Sequence, residues 1–194
     1  RRITPNKGTF LTSLGGGNQV TLDQNSGSVV SADGSVADIE QAPQSGNVVQ
    51  SAQNGIHHTL TLHQNGANNV LTSDQSGVLN TIDYTANGDG NSANVTQNAD
   101  DSGKTPVEAS HNKLTATFNG RNNRSEVFQY GAGSTNTTTV GGSDNLLSVT
   151  QRNDGSTAKS NTATITIKGG SKNDLTVDQT GANTATMTLE LGTA

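Results

Sequence analysis

Asn47-Val48-Val49-Gln50-Ser51-Ala52-Gln53-Asn54-Gly55-Ile56-His57-His58-Thr59-Leu60-Thr61-Leu62-His63-Gln64-Asn65-Gly66 decides the fold. It holds one nine-residue frame twice. Asn47 is followed six residues later by Gln53 and eight later by Gly55; His58 is followed by Gln64 and Gly66 in the same way. The frame starts again at Asn69, Asn80 and Asn91, so its starts keep an unbroken spacing of eleven. It returns, after small insertions, at Asn112, Asn123, Asn136, Asn145, Asn161, Asn173 and Asn183, and it fits Asn18 and Ser35 upstream.

Counted from each start, even offsets are apolar or amide and odd offsets are polar. Offset two holds residues such as Val20, Val49, Leu71, Leu114 and Leu175; offset four holds Leu22, Ile39, Leu62, Val95 and Val177. Period two is the mark of a strand with one buried face. The Gly- and Asn-rich links between units tolerate the left-handed backbone of sharp corners.

Splitting the units alternately shows a longer repeat. The set starting at Asn18, Asn47, Asn69, Asn91, Asn123, Asn145 and Asn173 has Gln24, Gln53, Gln75, Gln97, Gln129, Gln151 and Gln179 at offset six. The set starting at Ser35, His58, Asn80, Asn112, Asn136, Asn161 and Asn183 keeps only Gln41 and Gln64; Ala86, Phe118, Gly142, Ile167 and Leu189 follow. Two non-equivalent strands per turn of about 22 residues imply an all-β, two-sided β-solenoid of seven turns. Each strand would lie about 4.8 Å above its predecessor. Identical amides would then form hydrogen-bonded ladders, as in cross-β stacks. The second sheet would carry Gln41 and Gln64 with Asn80, Asn112, Asn136, Asn161 and Asn183.

Composition fits this economy. Leu, Ile, Val and Phe number 36 of 194 residues, whereas Asn, Gln, Ser, Thr and Gly number 105. So few apolar side chains exclude a large enzyme core but suffice for a thin one. Charged residues are 14%, the net charge is −5 and there is no cysteine. Zinc-thiolate sites and a disulfide framework are excluded, and nucleic acid is not an expected partner. The solenoid is expected over residues 18–191, with insertions near 25–34, 98–110 and 152–160. Residues 1–17 form a lead segment without a recognisable signal peptide, and 192–194 a short tail.

The spacing resembles the curlin repeat of curli, a secreted bacterial functional amyloid. That repeat looks like Ser/Asn-x5-Gln-x-Gly-x2-Asn-x-Ala-x3-Gln. Asn69–Gln75–Gly77–Asn80 follows it, Asn47–Gln53–Gly55–His58–Gln64 follows it with His for the second Asn, and Asn123–Gln129–Gly131 and Asn173–Gln179–Gly181–Asn183–Ala185 carry its first half. The second Gln is lost in five of seven repeats. The resemblance implies an extracellular structural subunit that polymerises into biofilm fibres. It also implies a nucleating minor subunit and an outer-membrane secretion pore as partners. Residues 1–17 would stand where such proteins carry their secretion address.

An uncapped solenoid is expected to add copies head to tail. The contacts would fall on Val20 and Leu22 at one end and on Ala185, Met187 and Leu189 at the other. Asp23, Asp74 and Asp178, outward on one sheet, read as gatekeepers whose stacked like charges slow indiscriminate pairing. Neither an enzyme nor a cofactor or metal site is expected. No Gly-x-Ser-x-Gly elbow or P-loop occurs. Of His57, His58, His63 and His111, His58 takes a ladder slot and His63 points outward, so they need not converge, and Asp100-Asp101 lacks a calcium pattern. Two alternatives stand beside the fibre: a surface-anchored adhesin or fibre passenger, and a monomeric ice-binding solenoid. The latter rests on Thr115/Thr117, Thr164/Thr166 and Thr186/Thr188, an array broken by Asp38/Glu40, Thr61/His63 and Asp83/Thr85.

Overall fold

A computed structural model describes residues 2–4, 9–13, 17–25, 35–43, 45–98, 111–153 and 160–190. The alternating units all form strands: β3 (Gln19–Asn25), β4 (Val36–Gln41), β5 (Val48–Ile56), β6 (Thr59–Asn65), β7 (Val70–Val78), β8 (Thr81–Asn87), β9 (Ser92–Asn98), β10 (Lys113–Arg121), β11 (Arg124–Tyr130), β12 (Thr135–Ser143), β13 (Leu146–Arg152), β14 (Thr162–Lys168), β15 (Asp174–Thr180) and β16 (Thr184–Glu190). Odd-numbered strands build one parallel sheet in chain order and even-numbered strands build the other. Each turn of chain therefore contributes one rung to each sheet, which is a two-sided β-solenoid.

The pairing is in register, so each inward column is a stack of equivalent positions. Val49, Leu71 and Ala93 align at offset two, and Leu60, Ile82 and Leu114 do so across the core. Apart from the terminal turn these side chains are buried. The sheets hide alternate residues only, which is why few aliphatics suffice.

The corners are as regular as the strands. The residue before each first-set Asn adopts a left-handed backbone, with φ between 53° and 82°: Gly17, Gly46, Asn68, Gly90, Asn122, Asp144 and Lys172. Gly66, Gly88, Gly120 and Gly142 stack in one corner column, where an added Cβ would overlap the carbonyl of the glycine, Gly170 included, one turn on. Glycine is needed there for close approach of backbone to backbone.

Three expectations need correction. The lead segment contributes two strands, β1 (Arg2–Thr4) and β2 (Thr9–Ser13), which pair with β3 and β4. The described sheets thus hold sixteen strands and begin before Asn18. Second, Asn136 is not a ladder start. It pairs with Leu114 and Ala163 at offset two, and Ser134 takes the starting place. The offset-six residue of β12 is accordingly Val140, and Gly142 belongs to the corner. Third, Val20 and Leu22 are 5% and 1% exposed and are covered by their turn's neighbours, so they do not form an end. Residues 26–34, 99–110, 154–159 and 191–194 lie outside the described residues; they take in most of the expected insertions, the Asp100-Asp101 pair and the tail.

Candidate functional site

The first-sheet glutamines form one chain of amides through the core. Gln24 Nε2 donates to Gln53 Oε1 at 2.7 Å, Gln53 to Gln75 at 2.9 Å, and Gln75 to Gln97 at 3.0 Å. Gln97 donates to Gln129 at 2.8 Å, Gln129 to Gln151 at 2.9 Å, and Gln151 to Gln179 at 2.8 Å. All seven are buried. The ladder is polar in direction: each of the first six amides donates to the glutamine one turn toward the C-terminal end, and Gln179 ends it by donating to the Thr162 and Asn183 carbonyls. The second amide hydrogen crosses to a backbone carbonyl of the other sheet, as from Gln75 to Thr59 at 3.2 Å and from Gln97 to Thr81 at 3.0 Å. A buried primary amide is stable only when its hydrogens are both placed, and here both are.

The asparagines form the second expected amide stack over part of its length, with Nδ2 donating to the Oδ1 one turn back from Asn91 to Asn69 at 3.3 Å, Asn123 to Asn91 at 3.1 Å, Asn145 to Asn123 at 2.9 Å and Asn173 to Asn145 at 2.7 Å, and they add backbone bonds to it. Their Oδ1 atoms accept the backbone N–H of the Asn one turn on: Asn18 from Asn47, Asn47 from Asn69, Asn69 from Asn91, Asn91 from Asn123, Asn123 from Asn145 and Asn145 from Asn173, at 2.9–3.1 Å. Asn47, Asn69, Asn91 and Asn123 also donate to the stacked corner carbonyls of Gly66, Gly88, Gly120 and Gly142. The Asn column thus clips each corner to the next turn.

The second-sheet column repeats this with mixed chemistry. Ser35 Oγ accepts from His58 N–H, His58 Nδ1 from Asn80 N–H, Asn80 Oδ1 from Asn112 N–H, and Asn112 Oδ1 from Ser134 N–H. Asn161 Oδ1 accepts from Asn183 N–H. His58 is fully buried and is held neutral: burial lowers its pKa below the usual 6.5. Asn136 sits in the core at offset two, where its Oδ1 accepts from Thr138 Oγ1 at 2.7 Å and its Nδ2 has no partner. Gln41 donates to Gln64 at 2.8 Å. Beyond Gln64 that column turns apolar through Ala86, Phe118, Val140, Ile167 and Leu189.

The two ends differ. At one, β1 and β2 are the outermost described strands. At the other, Ala185, Met187 and Leu189 continue the buried columns of Ala163, Ile165 and Ile167 but are partly uncovered, Met187 by 37%. Arg152 pairs with Asp178 at 3.6 Å, and Lys168 pairs with Glu190, whose carboxyl it holds below the usual range. The proposed gatekeepers share the fifth offset but do not stack on one another: Ala52 separates Asp23 from Asp74. Burial raises the pKa of Asp74 above the ordinary carboxylate value. His63 points outward and pairs with Glu40 at 3.0 Å, and His57 and His111 occupy left-handed corners.

The corrected register of β12 leaves its inward and outward faces as the sequence reading had them but changes which outward residues stand side by side. Thr135, Thr137 and Thr139 face outward between Thr115/Thr117 and Thr162/Thr164/Thr166. The available signal was the spacing itself, since 123, 134 and 145 keep the interval of eleven. Comparison with known proteins finds no match to a family model, to a curated protein or to a solved structure.

Proposed function

We propose that this chain is a secreted structural subunit that adds to copies of itself along the solenoid axis and builds a curli-like extracellular fibre. The uncovered face of the last described turn carries the reading. Ala185, Met187 and Leu189 present apolar columns that are fully buried one turn earlier, and the edges of β15 and β16 have no further strand among the described residues. An in-register parallel edge is a template for another chain. The directional Gln ladder supports the same reading, because head-to-tail addition keeps its sense. The curlin-like spacing, the adhesive role and the secretion partners belong to this proposal.

The test is growth of filaments by the purified chain, followed by electron microscopy and thioflavin fluorescence, with Met187→Lys and Leu189→Lys as end-blocking variants. Unbranched filaments from the parent and stalled growth in the variants are expected. Monodisperse particles of 19.8 kDa that never seed would overturn the proposal.

A further inference from the structure

The two outer faces of the solenoid differ sharply in chemistry. On the even-numbered sheet, offsets one, three and five of β4 to β16 are Thr at fifteen of twenty-one positions. On the odd-numbered sheet, the same offsets of β3 to β15 are Thr at five of twenty-one. Thr is a good strand residue anywhere, but that preference acts on both sheets alike and cannot produce a threefold asymmetry.

The threonines are also concentrated. β12, β14 and β16 carry Thr135/Thr137/Thr139, Thr162/Thr164/Thr166 and Thr184/Thr186/Thr188, with no other residue type at these nine positions. β10 adds Thr115 and Thr117 beside Lys113. Apart from Lys113 at the start of β10, the charges of this sheet lie elsewhere: Asp38, Glu40, His63 and Asp83 belong to β4, β6 and β8, and Lys168 and Glu190 neutralise each other at the rim. An edge strand such as β16 ordinarily carries outward charge to prevent pairing, and its one outward charge is Glu190 at its last position, paired with Lys168.

Hydroxyls and methyls therefore repeat about 4.8 Å apart along the stack and about 6.6 Å apart along each strand. The uncharged patch on β12 to β16 measures roughly 10 Å by 13 Å on the same spacings, and β10 extends it beside Lys113. The internal ladders hold this spacing by fixing register from turn to turn. Each Thr hydroxyl donates and accepts, and each methyl restrains the neighbouring water. A charge would instead impose its own radial hydration. A lattice of weak, identical, neutral water contacts suits one partner, a surface of ordered water that repeats in two dimensions.

We infer that the Thr face of β10–β16 binds ice. This is independent of fibre growth, which uses the solenoid ends. The register of β12 supplies the decisive row, because a start at Asn136 would set Thr137, Thr139 and Gly141 between β10 and β14, whereas the observed pairing sets Thr135, Thr137 and Thr139 there.

The experiment measures partition of the purified chain into slowly grown ice, together with inhibition of ice recrystallisation. Thr137→Lys/Thr164→Lys is the face variant, and Gln50→Lys/Thr72→Lys is the opposite-face control. The parent and the control are expected to concentrate in ice, and the face variant to fall to the level of an inert protein. Circular dichroism and thioflavin growth of the face variant are expected to match the parent. If the Lys pair loses strand structure, Thr137→Gln/Thr164→Gln replaces it with the same expected loss. Exclusion of the parent from ice overturns the inference, as does equal uptake of parent and folded face variant. Concentration-dependent pairing through the Thr face without ice uptake overturns it too, and assigns the face to a second copy.

Discussion

Replacing Gln97 by Leu tests whether the ladder acts as one unit. Gln97 accepts from Gln75 at 3.0 Å, donates to Gln129 at 2.8 Å and donates to the Thr81 carbonyl at 3.0 Å. Leu removes all three bonds. It strands one Gln75 hydrogen and the Gln129 oxygen in a buried setting, at about 1–3 kcal/mol for each unpaired group. Apolar burial by Leu offsets about 1 kcal/mol. Two such groups less that offset give an expected loss of about 1–5 kcal/mol, centred near 3, a large share of a domain's stability. The double variant Gln75→Leu/Gln97→Leu strands only the flanking Gln53 hydrogen and Gln129 oxygen on the ladder, because the two leucines face each other. Its cost should exceed that of the single variant by about 1 kcal/mol at most, well short of the sum of the two singles, a coupling of about 1–3 kcal/mol. The protein already contains such a boundary in its second sheet, where Gln64 is succeeded by Ala86 and Phe118. Urea unfolding of the freshly purified chain, followed by circular dichroism, gives the four values of the cycle. Additive costs, or a single-variant loss under about 0.5 kcal/mol, would refute cooperative satisfaction of the amides.

Tyr84 is fully buried against Phe118, with ring centroids 5.5 Å apart, and its hydroxyl has no partner. Tyr84→Phe should leave stability unchanged or raise it by up to about 1 kcal/mol in the same urea assay, and a marked loss would reveal a partner for the hydroxyl. His58 gives a pH dependence. Its Nδ1 accepts from Asn80 N–H and its Nε2 faces the Asn54 carbonyl, so the network assigns the proton to Nε2. With the folded pKa lowered by burial, the unfolded chain binds the extra proton first. Stability is therefore complete above the usual 6.5 and declines as pH falls below it. His58→Asn should flatten that decline across the interval just below pH 6.5, measured by urea midpoints at successive pH values.

Much of the fold is legible in particular residues. The unbroken run of glutamines at offset six fixes one sheet, because only vertical stacking makes a buried amide column tolerable. The alternation in Thr59-Leu60-Thr61-Leu62 fixes which side chains enter the core. The candidate ends are half legible: Ala185, Met187 and Leu189 lie at an uncovered edge as the sequence suggests, whereas Val20 and Leu22 are covered. β1 and β2 are three and five residues long, too short for periodicity to mark them, and they are strands because an existing edge pairs with them.

The sequence by itself determined the fourteen strands from β3 to β16, the 22-residue turn, their inward and outward faces and the Gln column. These follow from local alternation and from identity at fixed spacing. Tertiary structure decided the register of β12, the donor direction of the ladder and the role of the asparagines as clips on the backbone of the next turn. A two-residue slip preserves every inside and outside assignment by alternation alone, so Asn136 and Ser134 compete as starting points until the neighbouring strands choose. The Thr face becomes continuous only once Leu114 and Ala163 take Asn136 between them.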